Sequence, residues 1–392
     1  MDRPKLTIIL PALGIAQIVS WGSLFYSIAV LAEPMGAGLH LTRVEVFAGF
    51  SIALAISGLL SPRVGRVIDA KGGRFVLCRG ALVGAAALVI LATADRYATI
   101  LFGWCIAGVA MSMTLYDPAF ATLGQISGER YRRALTGLTL IAGFASTAFW
   151  PLTHALARSF GWRSTLLIFA GLHIVVALPL IAVFVPKHTQ TARPAPRADM
   201  PSASTRSTAP GQVWLATCFA LFAFVFSSMS AHLVGVLQLK GLSTTQAVGL
   251  LSLVGPMQVT GRIVEMTFGA RFSVAAVGCF AFALLCGALA LLLFVQGPGV
   301  LGWAFVVCYG CANGAITIVR GVLPAALFGR EHLGHLLGWL ARPGFVAQAI
   351  APATIALLLM SGSAQLVVAV ASGSIAVALG CLVAALRAAR HA

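Results

Sequence analysis

Long apolar runs dominate the chain, broken by short polar, glycine-rich or proline-rich stretches. Twelve runs are recognised, at approximately 7–32, 44–64, 75–94, 97–118, 134–157, 164–185, 212–236, 245–268, 273–295, 300–322, 334–360 and 364–386. Each is about as long as a helix must be to cross a bilayer. Short alternating segments of the kind that build a membrane β-barrel are not seen. The pattern therefore predicts an all-α integral membrane protein with 12 transmembrane helices. The longest polar break, 186–211, is rich in proline and serine and reads as a connector. It divides the chain into two six-helix bundles, 1–185 and 212–392. The first run follows Arg3 and Lys5 but is too long, and lacks the small-residue cleavage site, for a removable signal peptide.

Composition agrees with this pattern. The 392 residues are 59% hydrophobic and 9% charged, whereas a soluble domain carries about 25% charged residues. Net charge is +16, and its distribution explains it. With the N-terminus on one side, twenty of the Lys and Arg residues fall on that side and five on the other. The positive-inside rule then places both termini in the cytoplasm of a cell with the protein in its inner (plasma) membrane. The charge reads as basic loops, and no nucleic-acid partner is implied. Eight cysteines, mostly within apolar runs, show no disulfide spacing. Neither a phosphate-binding GxxxxGK[ST] loop, nor a metal motif, nor a soluble catalytic segment is present, which argues against an ATP-driven pump, a cofactor and an enzyme.

The two halves echo each other. Gly65-Arg66-Val67-Ile68-Asp69 matches Gly261-Arg262-Ile263-Val264-Glu265, and Pro118-Ala119 matches Pro324-Ala325. Gly137, Gly143-Phe144 and Pro151 match Gly338, Gly344-Phe345 and Pro352. The same order in both halves indicates a duplicated, pseudo-symmetric unit.

Twelve helices split six and six, with Gly65, Asp69, Gly72 and Arg74 spaced along a polar loop after the second, resemble the major facilitator superfamily. Arg158-Ser159-Phe160-Gly161-Trp162-Arg163 resembles its usual connection before the sixth helix. Gly73 departs from the pattern, standing where many members carry a basic residue. Stretches such as Gln17–Tyr26, Leu115–Phe120 and Leu340–Phe345 are similar to bacterial relatives of the monocarboxylate-transporter branch and to a group associated with arsenite efflux. The resemblance implies a secondary transporter with its site between the halves and a cytoplasmic gate at Gly65, Asp69, Gly72, Arg74, Gly261 and Arg262. Asp69 is expected to pair with basic groups or with the positive N-terminal end of helix 11.

Ionisable groups inside apolar helices cost several kcal/mol and mark candidate sites (about 2.5–3.5 kcal/mol for a charge at the bilayer centre). Arg342 lies roughly 12 Å along its helix and is the leading candidate for an anion-binding group, with Arg320 assisting. The other reading of Arg342 is a structural, snorkelling arginine. Asp117 is read as the proton carrier or as a gate partner of Arg320 or Arg342. Glu265 and His232 are further proton candidates. Arg262 and Glu265, three apart, share a helical face and are able to pair. Two readings stay open for them, a structural gate or a proton-and-substrate pair. His154 and His173 read as hydrogen-bonded helix residues. Gln17, Trp21, Tyr26 and Asn313 are candidate walls of a substrate cavity. Cys308 and Cys311, three apart, are either packing residues or soft ligands for a thiophilic species.

The sequence thus points to a proton-coupled secondary transporter of a small solute, with efflux favoured and arsenite among the candidate cargoes. Proton-linked uptake of a small monocarboxylate is the alternative. Small-residue pairs such as Gly310–Gly314 read as packing within a monomer.

Overall fold

The computed structural model describes residues 6–187, 209–359 and 363–390. Arg3, Lys5 and most of the expected connector lie outside the described residues. Sixteen α-helices and no strand occur among the described residues. Among the described residues, eight stretches are long and apolar enough to cross a membrane, including Val44–Lys71, Val274–Phe294 and Val300–Phe328. The outer surface fits a lipid solvent: Val175, Phe280 and Val300 are 74%, 69% and 82% exposed. Within the bundle, Phe120, Tyr131, Phe169, Phe282 and Phe305 are fully buried.

Several apolar runs are broken helices. The first comprises α1 (Leu6–Trp21), one π-helical turn (Gly22–Tyr26) and α2 (Ile28–Leu39). A second π turn, His173–Ala177, follows α8 (Ala145–Leu172) and precedes α9 (Leu178–Phe184). The two turns meet: Ser23 Oγ and His173 Nε2 are 2.8 Å apart. Each π turn places one extra residue in the helix and turns the following side chains to a new face. α8 itself changes direction at Gly161, whose φ of 78° only glycine adopts without strain.

The stretch 65–74 corrects one expectation. Gly65 to Lys71 is not a loop but the last two turns of α3 (Arg43–Lys71). The turn into α4 (Gly73–Ala92) is Gly72 alone, at φ 84°. Apolar length marks where lipid ends, whereas hydrogen bonding decides where the helix ends. The fourth run likewise continues past its apolar part, as α5 (Tyr97–Thr114) and α6 (Tyr116–Ser127). α7 (Tyr131–Ala142) leads into α8.

The second half comprises α10 (Ala209–Leu239), α11 (Thr244–Leu251), α12 (Val254–Thr267), α13 (Val274–Phe294), α14 (Val300–Phe328), α15 (Leu333–Leu359) and α16 (Ala364–Arg390). Contacts between the halves run mainly along two seams. α3 and α6 pack on α15, and α7 packs on α12 and α14. Glycine permits the first seam, since a Cβ at Gly65 would collide with the Gly334 carbonyl and one at Gly338 with the Ser61 carbonyl. The end of the bundle where α1 begins and α16 ends carries most of the arginines and is called the basic face below.

Candidate functional site

Four links through charged side chains join the halves near the basic face. Asp69, in the last turn of α3, accepts from the backbone N–H groups of Gly334 and His335, at 2.9 and 2.8 Å. These are the first orphan donors of α15, where the helix dipole favours a carboxylate. Glu265, at the matching place in the second half, meets the first turns of α7 instead. It accepts from Arg132 Nε (2.8 Å), Arg132 Nη2 (2.6 Å) and Thr136 Oγ1 (3.3 Å). Arg132 also donates to the Phe272 and Gly269 carbonyls, which ties α7 to the end of α12.

The third link lies deeper. Arg320 Nη2 donates to both oxygens of Asp117, each at 3.1 Å, and Asp117 is buried. Asp117 occupies the first turn of α6, where an acid is stabilised by free N–H groups. Beside it, Tyr131 Oη donates to the Gly321 carbonyl at 2.8 Å. The fourth link runs from Arg330 to the Gly128 carbonyl. Together these close the bundle at the basic face.

Arg262 corrects the expected pairing with Glu265. The two share a face of α12, but Glu265 turns to Arg132 and Arg262 turns inward. A helical side chain leans toward the start of its helix, which for α12 is away from the basic face. Arg262 Nη1 donates to the Thr139 carbonyl at 2.8 Å, two turns deeper on α7 than Arg132. The side chain is 4% exposed, and its Nε has no partner. No carboxylate neutralises it among the described residues. Tyr26 and Tyr116, in the first half, come within electrostatic reach of its guanidinium.

Those tyrosines belong to an aromatic wall. Trp21 packs on Phe25, Tyr26 and Tyr116 at ring separations of 5.0, 5.9 and 4.8 Å, and Tyr26 meets Trp150 at 6.1 Å. The Trp21 indole N–H is buried without an acceptor. Gln17 lies below them, wholly buried, and donates through Nε2 to the Thr114 carbonyl at 2.5 Å. It braces the break between α5 and α6 rather than presenting both ends of its amide to a cavity.

Arg342 is not brought into this cluster. It is exposed and shares its side of α15 with Val346, Ile350 and Leu357, which are 42%, 55% and 69% exposed. Arg342 forms no ion pair among the described residues. Asn313 is buried in α14 and spends its Nδ2 on the Tyr309 carbonyl one turn back, leaving Oδ1 unpartnered. His232 is half-buried in α10, with contacts of its own. Arg74 is half-buried at the start of α4, near Cys78. Gly261 packs against the Cys311 backbone. Cys308 and Cys311 are both half-buried, and no third ligand makes a metal-binding group with them among the described residues.

Sequence reasoning missed Arg132, counting it only as a basic loop residue. The repeat held the signal: if Asp69 meets the start of helix 11, its mate Glu265 meets the start of helix 5, where Arg132 stands. Thr139 gave no signal, because its carbonyl and not its side chain binds Arg262.

An all-helical, lipid-exposed bundle in two halves, closed at one end by breakable polar links over a buried cation, defines a membrane transporter and not an enzyme. The model of the Major Facilitator Superfamily matches residues 13–352, and the chain belongs to that family. Its members carry small-molecule substrates, often coupled to protons. Among relatives, the chain is 27% identical over 326 residues to the agnestins efflux protein AgnL12 of Paecilomyces divaricatus, covering 80% of this chain and 70% of that protein. Its fold is that of the human organic anion transporter MFSD10, with a TM-score of 0.75 at 16% identity over 97% of this chain and all of that one. The transporter FucP, solved in an outward conformation, superposes with a TM-score of 0.72 at 13% identity, covering 96% and 98% of the two chains.

Proposed function

We propose that the chain exports a small organic anion by proton-coupled alternating access, and that Arg262 holds the anion. The carrying observation is a guanidinium 4% exposed, with an orphan Nε and no carboxylate partner. A buried cation left unneutralised is expensive, and an arriving anion offsets that cost. The aromatic wall of Trp21, Tyr26 and Tyr116 supplies apolar contact and further hydroxyl and indole donors. Asn313 remains a candidate through its free Oδ1.

In this reading the twelve apolar runs are twelve spans in two six-helix bundles, 1–185 and 212–392, joined by 186–211. The basic face is cytoplasmic, the membrane is the inner membrane, and the unit is a monomer. The structure is then the outward-facing form, and Asp69, Glu265 and Asp117 hold the cytoplasmic gate. Asp117 couples the proton. Protonation removes its charge, dissolves the link to Arg320 and lets α6 part from α14. Breaking a buried pair is worth about 3–5 kcal/mol, enough to reverse a two-state preference. The efflux activity named for the relative and the organic-anion transport named for the structural neighbour support this direction and cargo. For the arsenite branch, Cys308 and Cys311 have no third ligand among the described residues.

Counterflow in proteoliposomes with a panel of organic acids, neutral analogues and arsenite tests the proposal. Organic acids should exchange saturably, and Arg262→Gln should lower their apparent affinity at least about tenfold. Arg342→Gln should leave it within twofold. Equal exchange of neutral analogues, or an unaffected Arg262→Gln, would discard the anion reading. Exchange of arsenite alone would restore the metalloid one.

A further inference from the structure

An open cavity of about 200 Å³ lies between the start of α7, the start of α13 and the last two turns of α14. Val274, Val322, Ala325 and Ala326 form its walls, and Glu129, Tyr131, Arg132 and Arg330 its rim. It opens at the basic face and touches both halves of the chain. Arg330 lies over the Tyr131 ring, 5.5 Å from the centroid, and gives one nitrogen to the Gly128 carbonyl. Arg130 and Arg133 stand on either side of Tyr131 and Arg132 in the chain and are exposed. Arg271 is exposed six residues beyond Glu265, two residues after the Gly269 carbonyl that Arg132 holds.

None of these four arginines has a carboxylate partner among the described residues. The acids nearby are Glu129 on the rim and Glu265 below it, and Glu265 is already taken by Arg132. Arginines gathered within a Debye length of about 8 Å repel one another and call for a counter-anion. The depth of the cavity says which kind. Val274 opens α13 and Val322, Ala325 and Ala326 lie in the last two turns of α14, so the apolar walls sit at the helix ends nearest the basic face. Cationic rim above apolar wall suits an amphiphile with an anionic head. A soluble phosphate would use the arginines but gain nothing from Val274, Val322, Ala325 and Ala326.

We infer that this cavity binds an anionic phospholipid, with the phosphate on Arg330, Arg130 and Arg133 and an acyl chain along Val274 and Val322. The lipid bridges α7 to α13 and α14 and so stabilises the form closed at the basic face. This site is separate from Arg262, and its test requires no transport substrate.

The test titrates phosphatidylglycerol into the full chain in neutral detergent and reads the thermal midpoint, with phosphatidylcholine as reference. The midpoint should rise with phosphatidylglycerol only. Arg330→Glu should weaken the apparent affinity about tenfold or more, with Arg330→Gln weakened less. Arg63→Glu, a reversal of an exposed arginine on α3 away from the cavity, should stay within twofold. Equal weakening by Arg63→Glu and Arg330→Glu would reduce the effect to general surface charge and overturn the site. A rise reproduced by soluble glycerol phosphate would overturn the lipid assignment, and no rise in the parent chain would overturn both.

Discussion

Gln17 of α1 donates its side-chain amide to the backbone carbonyl of Thr114 at 2.5 Å. Pro118 explains the need. It stands four residues after Thr114, where an N–H would close the bond of a continuous helix; proline has none, and the chain breaks at an extended Leu115. The orphan carbonyl is buried in an apolar bundle and takes its donor from another helix.

That relationship predicts a rescue. Gln17→Leu should destabilise the chain by about 1–3 kcal/mol, the cost of a buried unpaired carbonyl, read as a lower thermal midpoint in detergent. Pro118→Ala supplies a local N–H, so the double variant should recover most of the loss. Additive losses in the two variants would show that Gln17 matters for another reason.

Asp69 and the start of α15 should behave as a latch. Asp69→Asn keeps an acceptor but loses the charge that the helix N-terminus favours, worth about 1–2 kcal/mol. Spin labels across the α3–α15 seam should report a larger population open at the basic face, by roughly tenfold. Distances identical to those of the parent chain would remove Asp69 from the gate.

Glu265 and Arg132 should show strong mutual dependence. A double-mutant cycle with Glu265→Gln and Arg132→Gln should give a coupling energy of about 1–3 kcal/mol. The cycle Glu265→Gln with Arg262→Gln should give much less, because those two side chains point to different places. A larger coupling within the second pair would reverse the assignment of partners.

Lys240 offers a pH prediction outside the membrane spans. Its ammonium is buried against the Leu293 and Val295 carbonyls, at 3.0 and 3.5 Å. Burial pulls its pKa below the ordinary 10.5. Between that lowered value and 10.5 the unfolded chain holds more protons than the folded one, so stability from this group rises with pH. The thermal midpoint of the parent chain, relative to Lys240→Met, should climb as pH approaches 10.5. A difference that stays flat or falls would mean that the lysine is not held this way.

The sequence by itself determined the membrane class, the helical runs, the excess of charge at one face and the correspondence of Gly65–Asp69 with Gly261–Glu265. All of these depend on local composition and order: apolar length sets what lipid accepts, and a repeat survives as a string. Even the meeting of Asp69 with the start of helix 11 was within reach, because a carboxylate at one helix end seeks the positive end of another.

What tertiary structure alone decided was direction. In an amphipathic soluble helix the apolar stripe says which side faces in. α15 is apolar almost all round, so periodicity placed Arg342 on a face without saying that the face is an exposed one. Arg262 and Glu265 share a helical face, as their spacing requires, yet they diverge. The deciding groups, Arg132 and the Thr139 carbonyl, lie more than a hundred residues away in the chain and about one turn or two along α7. Partner choice between two charges on one helix is settled by what the opposite half presents at each depth, and only the packed halves fix that depth.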